Sequence, residues 1–240
     1  MQLILDFGNT FQKCAVFDRE NMISDIKFEK ISLNDIVDYT NSFPNIKSCI
    51  LSSVMNTPED IIDYLNHKFD FIELNSKSLI PITNKYSTPD TLGKDRLAAA
   101  VAVCKLAKGK AALSIDIGTA IKFDLVNSDK EYLGGSISPG LFLRFKSLHT
   151  FTAKLPLVDY NNLHSLIGTD TQTSILSGVM NGAIAEVNAF IEIYKSQYEG
   201  ILIFITGGES IYFVNHIKSK IFAVSNLVLI GLNEILLFNE

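Results

Sequence analysis

The chain has 240 residues, enough for one large domain or for two of roughly 110–120 residues, each able to bury a core. Hydrophobic residues make up 47% and charged residues 20%, a balance that excludes disorder. A net charge of −5 argues against a nucleic-acid partner, and three cysteines (Cys14, Cys49, Cys104) with no CxxC pair argue for the reducing cytoplasm over a secreted disulfide scaffold.

The chain opens with "LILDFGNTFQKCAVFD", where Asp6 interrupts the apolar run too early for a signal peptide. The run before Asp6 predicts a buried strand, Gly8 a tight turn, and "FQKCAVFD" the return strand of a hairpin. Helices are expected over 33–41 and 57–68, with the strand "SCILSSV" between them. "TLGKDRLAAAVAVCKLAKG" predicts a helix rich in Ala and Leu, stopped by Gly109. Next, "ALSIDIGTAIKFDLVNSD" repeats the opening pattern, with Asp116 in the frame of Asp6. The offset of 110 residues is too long for a solenoid and suits a duplicated domain, 1–110 and 111–240.

"EYLGGSISPG" then reads as a third strand, followed by helices at about 141–149 and 171–196. "GILIFITGGE" predicts a buried central strand ending in a Gly-Gly turn. "IFAVSNLVLIGLNEILLF" is broken by Asn226, Gly231, Asn233 and Glu234, so a buried strand followed by a helix is expected there, with no membrane span. No Pro/Gly/Ser linker separates the halves, which predicts close packing. Strands and helices in this order indicate an α/β layered fold.

A carboxylate at the end of a buried strand is costly unless something pairs with it. At the first turn, Gly8 lets the backbone approach a phosphate, Asn9 and Thr10 add donors, and Lys13 adds charge. Asp6 would then act through Mg²⁺ or ordered water. Asp116 to Thr119 offer a second copy, and two such turns aimed at one polyphosphate form a nucleotide clamp. One Asp-x-Gly alone is as well explained by an ordinary turn; two in register, each after a buried strand, favour the clamp. Within "YSTPDTLGKDRLAAA", Asp95 and Arg96 follow Gly93 at a helix start. Asp95 either stabilises the helix dipole, by about 0.3–1 kcal/mol, or accepts a hydroxyl proton beside a guanidinium that binds an anionic substrate. Phosphoryl transfer asks mainly for positioning and charge neutralisation, so a weak base suffices. No GxxxxGK[ST], GxGxxG, GxSxG or HExxH is present, and His67, His149, His164 and His216 are scattered.

Four motifs taken together, "DFGNT" (6–10), "LGKDR" (92–96), "DIGTA" (116–120) and "LGGSISPG" (133–140), resemble those of type III pantothenate kinases in order and spacing. "TAKLP" (152–156), "GTDTQTSILSGVMNG" (168–182), "ITGGE" (205–209) and "LVLIGLNEIL" (227–236) extend the resemblance along the whole chain. It implies the acetate and sugar kinase/actin-like fold: two ribonuclease H-like domains, mixed sheets flanked by helices, with an ATP cleft between them. It further implies a homodimer that transfers the γ-phosphate of ATP to pantothenate, the first step toward coenzyme A. The implied cofactors are Mg²⁺ or another divalent ion and a monovalent cation, K⁺ or NH₄⁺.

By motif, the resemblance assigns the ATP phosphates to Asp6, Phe7, Gly8, Asn9, Thr10, Phe11, Gln12 and Lys13, with Thr119 also touching ATP. Asp95 is the implied proton acceptor, and Tyr86, Gly93, Lys94 and Arg96 complete the pantothenate-binding stretch. Asp116 is the implied ligand of the monovalent cation. Thr171 is implied to reach pantothenate from the neighbouring subunit. Two departures stand out. Ile121 and Lys122 replace a Thr-Thr-like pair and read as a packing residue and a solvated or phosphate-facing charge; Lys94 replaces a small residue and contributes mainly its backbone. The rival readings are another small-molecule kinase of the same superfamily and a non-catalytic ATP-binding regulator.

Overall fold

The computed structural model describes residues 1–160 and 165–240; His164 lies outside them. The chain divides into two compact units. One comprises Met1–Lys108, Asp129–Leu133 and Asn226–Glu240; the other comprises Gly109–Ser128 and Gly134–Ser225.

The first unit begins with a meander of β1 (Gln2–Phe7), β2 (Gln12–Asp18) and β3 (Asn21–Phe28). Then come α1 (Leu33–Asn41), β4 (Ser48–Ser53), α2 (Glu59–Lys68) and β5 (Asp70–Glu73), giving the sheet order β3-β2-β1-β4-β5. β1 is central, antiparallel to β2 and parallel to β4, which is why nearly all of "QLILDF" is buried and reads as a continuous apolar run. Alternation splits it between faces: Leu3, Leu5 and Phe7 join Ile36, Ile61 and Leu65 of α1 and α2 in one core. α1 starts on a capping box in which Ser32 and Asp35 satisfy each other's backbone N–H groups. α2 starts at Glu59, with Pro58 at its N-cap, two residues later than the pattern predicts.

After β6 (Thr83–Asn84), α3 (Lys94–Ala107) carries the unbroken buried run Arg96–Val103 and ends on left-handed Lys108 and Gly109. The described chain closes with α6 (Leu227–Asn239), which lies along α3, β1 and β4. A methyl group on Gly231 would sit 1.8 Å from the Ala98 carbonyl oxygen, so the two helices meet backbone to backbone at that point. Lys105 pairs with Glu234 and, at 2.9 Å, with Glu20, while Asn233 Nδ2 donates to the Arg19 carbonyl at 2.7 Å. A cut at 110/111 assigns this helix to the second half of the sequence, yet its contacts lie in the first unit.

The second unit repeats the plan. β7 (Ala112–Ile117), β8 (Ala120–Val126) and β9 (Glu131–Pro139) form the meander; α4 (Leu141–Thr150), α5 (Thr171–Gln197), β10 (Leu202–Thr206) and β11 (Phe222–Ala223) follow. The sheet order is β6-β9-β8-β7-β10-β11; its five strands from β9 to β11, with β10 parallel to β7, reproduce the β3-β2-β1-β4-β5 of the first sheet, and β6 is added at the edge. Ile115, Ile117, Ile121 and Phe123 face Leu141 and Phe145 of α4 and Ile175, Val179 and Val187 of α5, so Ile121 is the packing residue its type suggests. α5 is long and apolar enough to cross a membrane, but its apolar side fills this core. The strand expected before α6 is the short, exposed β11 and not a buried one, because only Phe204 and Ile205 of β10 pair with it.

Candidate active site

The β1–β2 turn closes with Gly8 N–H donating to the Phe11 carbonyl at 3.1 Å, which leaves Asn9 and Thr10 exposed at the tip. Asp6, at the end of β1, stands opposite Lys13 on β2 and Ser52 on β4. Lys13 Nζ donates to Asn226 Oδ1 at 3.3 Å, just before α6. The expected nucleotide residues have different means of acting. Phe7 is fully buried, so it can offer only backbone. Gln12 fastens the hairpin, accepting from Ile31 N–H at 2.5 Å and donating to Met55 Sδ at 3.0 Å. The Phe11 ring carries the Lys27 ammonium at 3.3 Å from its centroid. Backbone donors, small side chains and one ammonium around a partly exposed carboxylate suit a phosphate chain with Mg²⁺ held through water.

The second hairpin holds Asp116 opposite Lys122 on β8 and Thr206 on β10. Lys122 Nζ lies 2.7 Å from Asp116 Oδ2, with the side chains 18% and 19% exposed. Lys122 is therefore part-buried and paired, because register puts it on the face of Asp116. The Gly207 backbone comes close to the other oxygen, Oδ1: an added methyl group would lie 2.6 Å from it and 2.2 Å from the Ile117 carbonyl oxygen. Gly207 has φ +97°, so glycine alone suits both the space and the backbone there. At the tip, the Thr119 carbonyl accepts from Gly140 N–H at 3.0 Å. The N-terminus of α4 receives the Glu209 carboxylate, which accepts from Leu141 N–H at 3.0 Å. Burial and that carboxylate together raise the pKa of the Tyr160 hydroxyl, which donates to Glu209 at 2.5 Å.

In the first unit, the start of α3 gathers four of the residues expected around pantothenate. Gly93 is the N-cap and Asp95 sits in the first turn, its carboxylate folded back so that a methyl on Gly93 would lie 2.6 Å from Oδ1. Arg96 is 6% exposed, with its guanidinium carbon 5.5 Å from the centre of the Tyr86 ring. Tyr86 in turn stacks on the fully buried Tyr132 at 6.1 Å. This pile is held by backbone bonds from Thr83 N–H to Lys130 and from Lys85 N–H to Tyr132, both at 2.9 Å. Lys94 turns elsewhere, 3.7 Å from Glu73 and lining a hollow of about 340 Å³ with Leu74, Pro89 and Asp90.

Thr171 opens α5 in the second unit and lines a hollow of about 670 Å³ with Arg144, Ser147, Leu155 and Ser174. Sequence reasoning missed Tyr132, Asn226, Gly207 and Gly140 as supports of these groups. The Gly-Gly after a buried strand in "ITGGE" and the Gly closing "LGGSISPG" were the available signals for the last two.

A family model described as type III pantothenate kinase matches residues 2–193. A type III pantothenate kinase of Christiangramia forsetii is 44% identical over 100% of this chain and 99% of its own length. One of Bacteroides fragilis is 40% identical with the same coverage. Among solved structures, the inorganic polyphosphate/ATP-glucomannokinase of Arthrobacter sp. strain KM superimposes with a TM-score of 0.52 at 11% identity, over 100% of this chain and 99% of that one, a likeness of fold alone. Family model and full-length relatives agree, and the chain belongs to the type III pantothenate kinase family.

Proposed function

We propose that the protein transfers the γ-phosphoryl group of ATP to the primary hydroxyl of pantothenate, the first step of coenzyme A biosynthesis. The observation that carries the reading is the start of α3, where the Asp95 carboxylate adjoins a buried Arg96 stacked on Tyr86. Arg96 supplies fixed positive charge for the pantothenate carboxylate, and Tyr86 and Gly93 shape its seat. Asp95 accepts the hydroxyl proton as the oxygen bonds to the γ-phosphorus and the bond to the ADP oxygen breaks. Asn9, Thr10 and Lys13 hold the departing phosphates, with Thr119 a further ATP contact. Asp6 holds the divalent ion through water; that ion supplies neutralisation of phosphate charge. The three cysteines are free thiols, Cys14 and Cys49 buried, which supports a cytoplasmic location. The matching strand orders of the two sheets support a duplication, with halves 1–110 and 111–240.

ADP release coupled to an indicator reaction, with ATP, Mg²⁺ and pantothenate, tests this directly. Turnover with pantothenate is expected. Turnover only with a sugar would move the protein to another kinase class, and tight ATP binding with no turnover on any acceptor would make it a regulator.

We further infer a homodimer in which Thr171 reaches the partner's pantothenate. Phe142, Phe151, Leu157, Leu166 and Ile167, all exposed in the stretch leading to α5, support an apolar contact there. Sedimentation equilibrium is expected to give twice the chain mass; a monomer at assay concentrations would exclude the shared site.

A further inference from the structure

Asp116 does not fit a site for a free monovalent ion, because its carboxylate already holds a cation. We propose that Lys122 is that cation, a tethered ammonium that takes the place of K⁺ or NH₄⁺, so that this protein turns over without either. The inference rests on the kinase reading above and assigns Lys122 a positioning role, acting through Asp116.

Lys122 stands directly opposite Asp116 in the β7–β8 ladder, where cross-strand neighbours on one face meet. Ile115, Ile117, Ile121 and Phe123, the residues on either side of the pair, point the opposite way and are fully buried, which fixes both backbones. The Nζ–Oδ2 distance is 2.7 Å and both side chains are about four-fifths buried. Burial on this scale holds the pair against solvent competition, which weakens exposed pairs.

A bare K⁺ asks for something else: several oxygens, commonly backbone carbonyls, that replace its water shell. Along the turn that follows Asp116, three carbonyls each already accept one N–H, which leaves each a single lone pair for an ion. The Ile117 carbonyl accepts from Glu209 N–H at 3.0 Å, the Thr119 carbonyl from Gly140 N–H at 3.0 Å, and the Ala120 carbonyl from Gly118 N–H at 3.1 Å. The Gly207 backbone stands close to Oδ1, where an added methyl group would lie 2.6 Å away. A second cation here would also stand beside the Lys122 ammonium and be repelled by it.

The test compares the full-length wild type with Lys122→Ala in tetramethylammonium buffer, adding KCl or NH₄Cl, and follows both turnover and the thermal unfolding midpoint. Wild-type turnover should change by less than about twofold, while Lys122→Ala should fall by about tenfold or more and recover with K⁺ or NH₄⁺. The midpoint of the variant should rise with K⁺ beyond the rise given by equal tetramethylammonium; that of the wild type should not. Lys122→Gln, which keeps most of the packed stem, carries the same expectations if the alanine variant does not fold. Strong K⁺ stimulation of the wild type would overturn the proposal, as would full activity of Lys122→Ala without K⁺, or a folded variant that neither ion rescues. A wild type inactive on pantothenate in every salt would instead count against the kinase reading, and the midpoints would still decide this one.

Discussion

Asp95→Asn is expected to lower kcat for pantothenate phosphorylation by about 10²-fold or more while leaving ATP affinity near that of the wild type. The substitution keeps the shape of the side chain, so the close fit against Gly93 survives. What it removes is a lone pair basic enough to take the hydroxyl proton. A hundredfold loss corresponds to about 2.7 kcal/mol of barrier. The competing role, a negative charge in the first turn of α3, is worth about 0.3–1 kcal/mol and would appear in stability, not in kcat. Steady-state kinetics and thermal unfolding on the same preparation therefore separate the two roles. A variant whose kcat stays within a few-fold of wild type would remove Asp95 from proton transfer.

Gly231→Ala should be the most damaging single methyl in the first unit. The added carbon would lie 1.8 Å from the Ala98 carbonyl oxygen and 2.5 Å from its carbon. Neither is the end of a flexible side chain. Ala98 is fully buried in the middle of α3, so the clash is relieved only if one helix moves off the other. Overpacking that displaces backbone is expected to cost about 3 kcal/mol or more. For a chain of this size that lowers the melting temperature by roughly 6–12 °C. α3 carries Asp95 and Arg96 in its first turn, so a shift of that helix should lower kcat/KM as well. A melting temperature within 2 °C of wild type, roughly what ~1 kcal/mol would give, would mean that α3 and α6 do not meet as closely as described.

Much of this was legible in the sequence because it follows from burial. A strand with sheet on both sides must be apolar throughout, so "LILDF" and "LSIDI" announced both central strands and made Asp6 and Asp116 conspicuous. The all-round apolar "LAAAVAV" likewise announced α3 as a helix enclosed by its neighbours. Other features left no local trace. The role of Lys122 depends on which residue of β8 falls opposite Asp116, and a one-residue change in the turn would send it to the other face. Lysine is a surface residue by type, and only register made it a part-buried partner. The pile of Arg96, Tyr86 and Tyr132 joins three separate stretches of chain through short strand pairings that no periodicity reveals. The close approach of residues 98 and 231 is of the same kind: a lone glycine in an apolar helix says that something comes near, but not what.

That return of α6 to the first unit has a consequence for biosynthesis. β1 to α3 leave the ribosome early, yet the surface of α3 and β1 that α6 covers stays bare until residue 239 has followed. At about 5–20 residues per second, making residues 108–239 takes roughly 7–26 s. During that interval the nascent chain displays an apolar strip with nothing to cover it, which is the kind of surface a holding chaperone recognises.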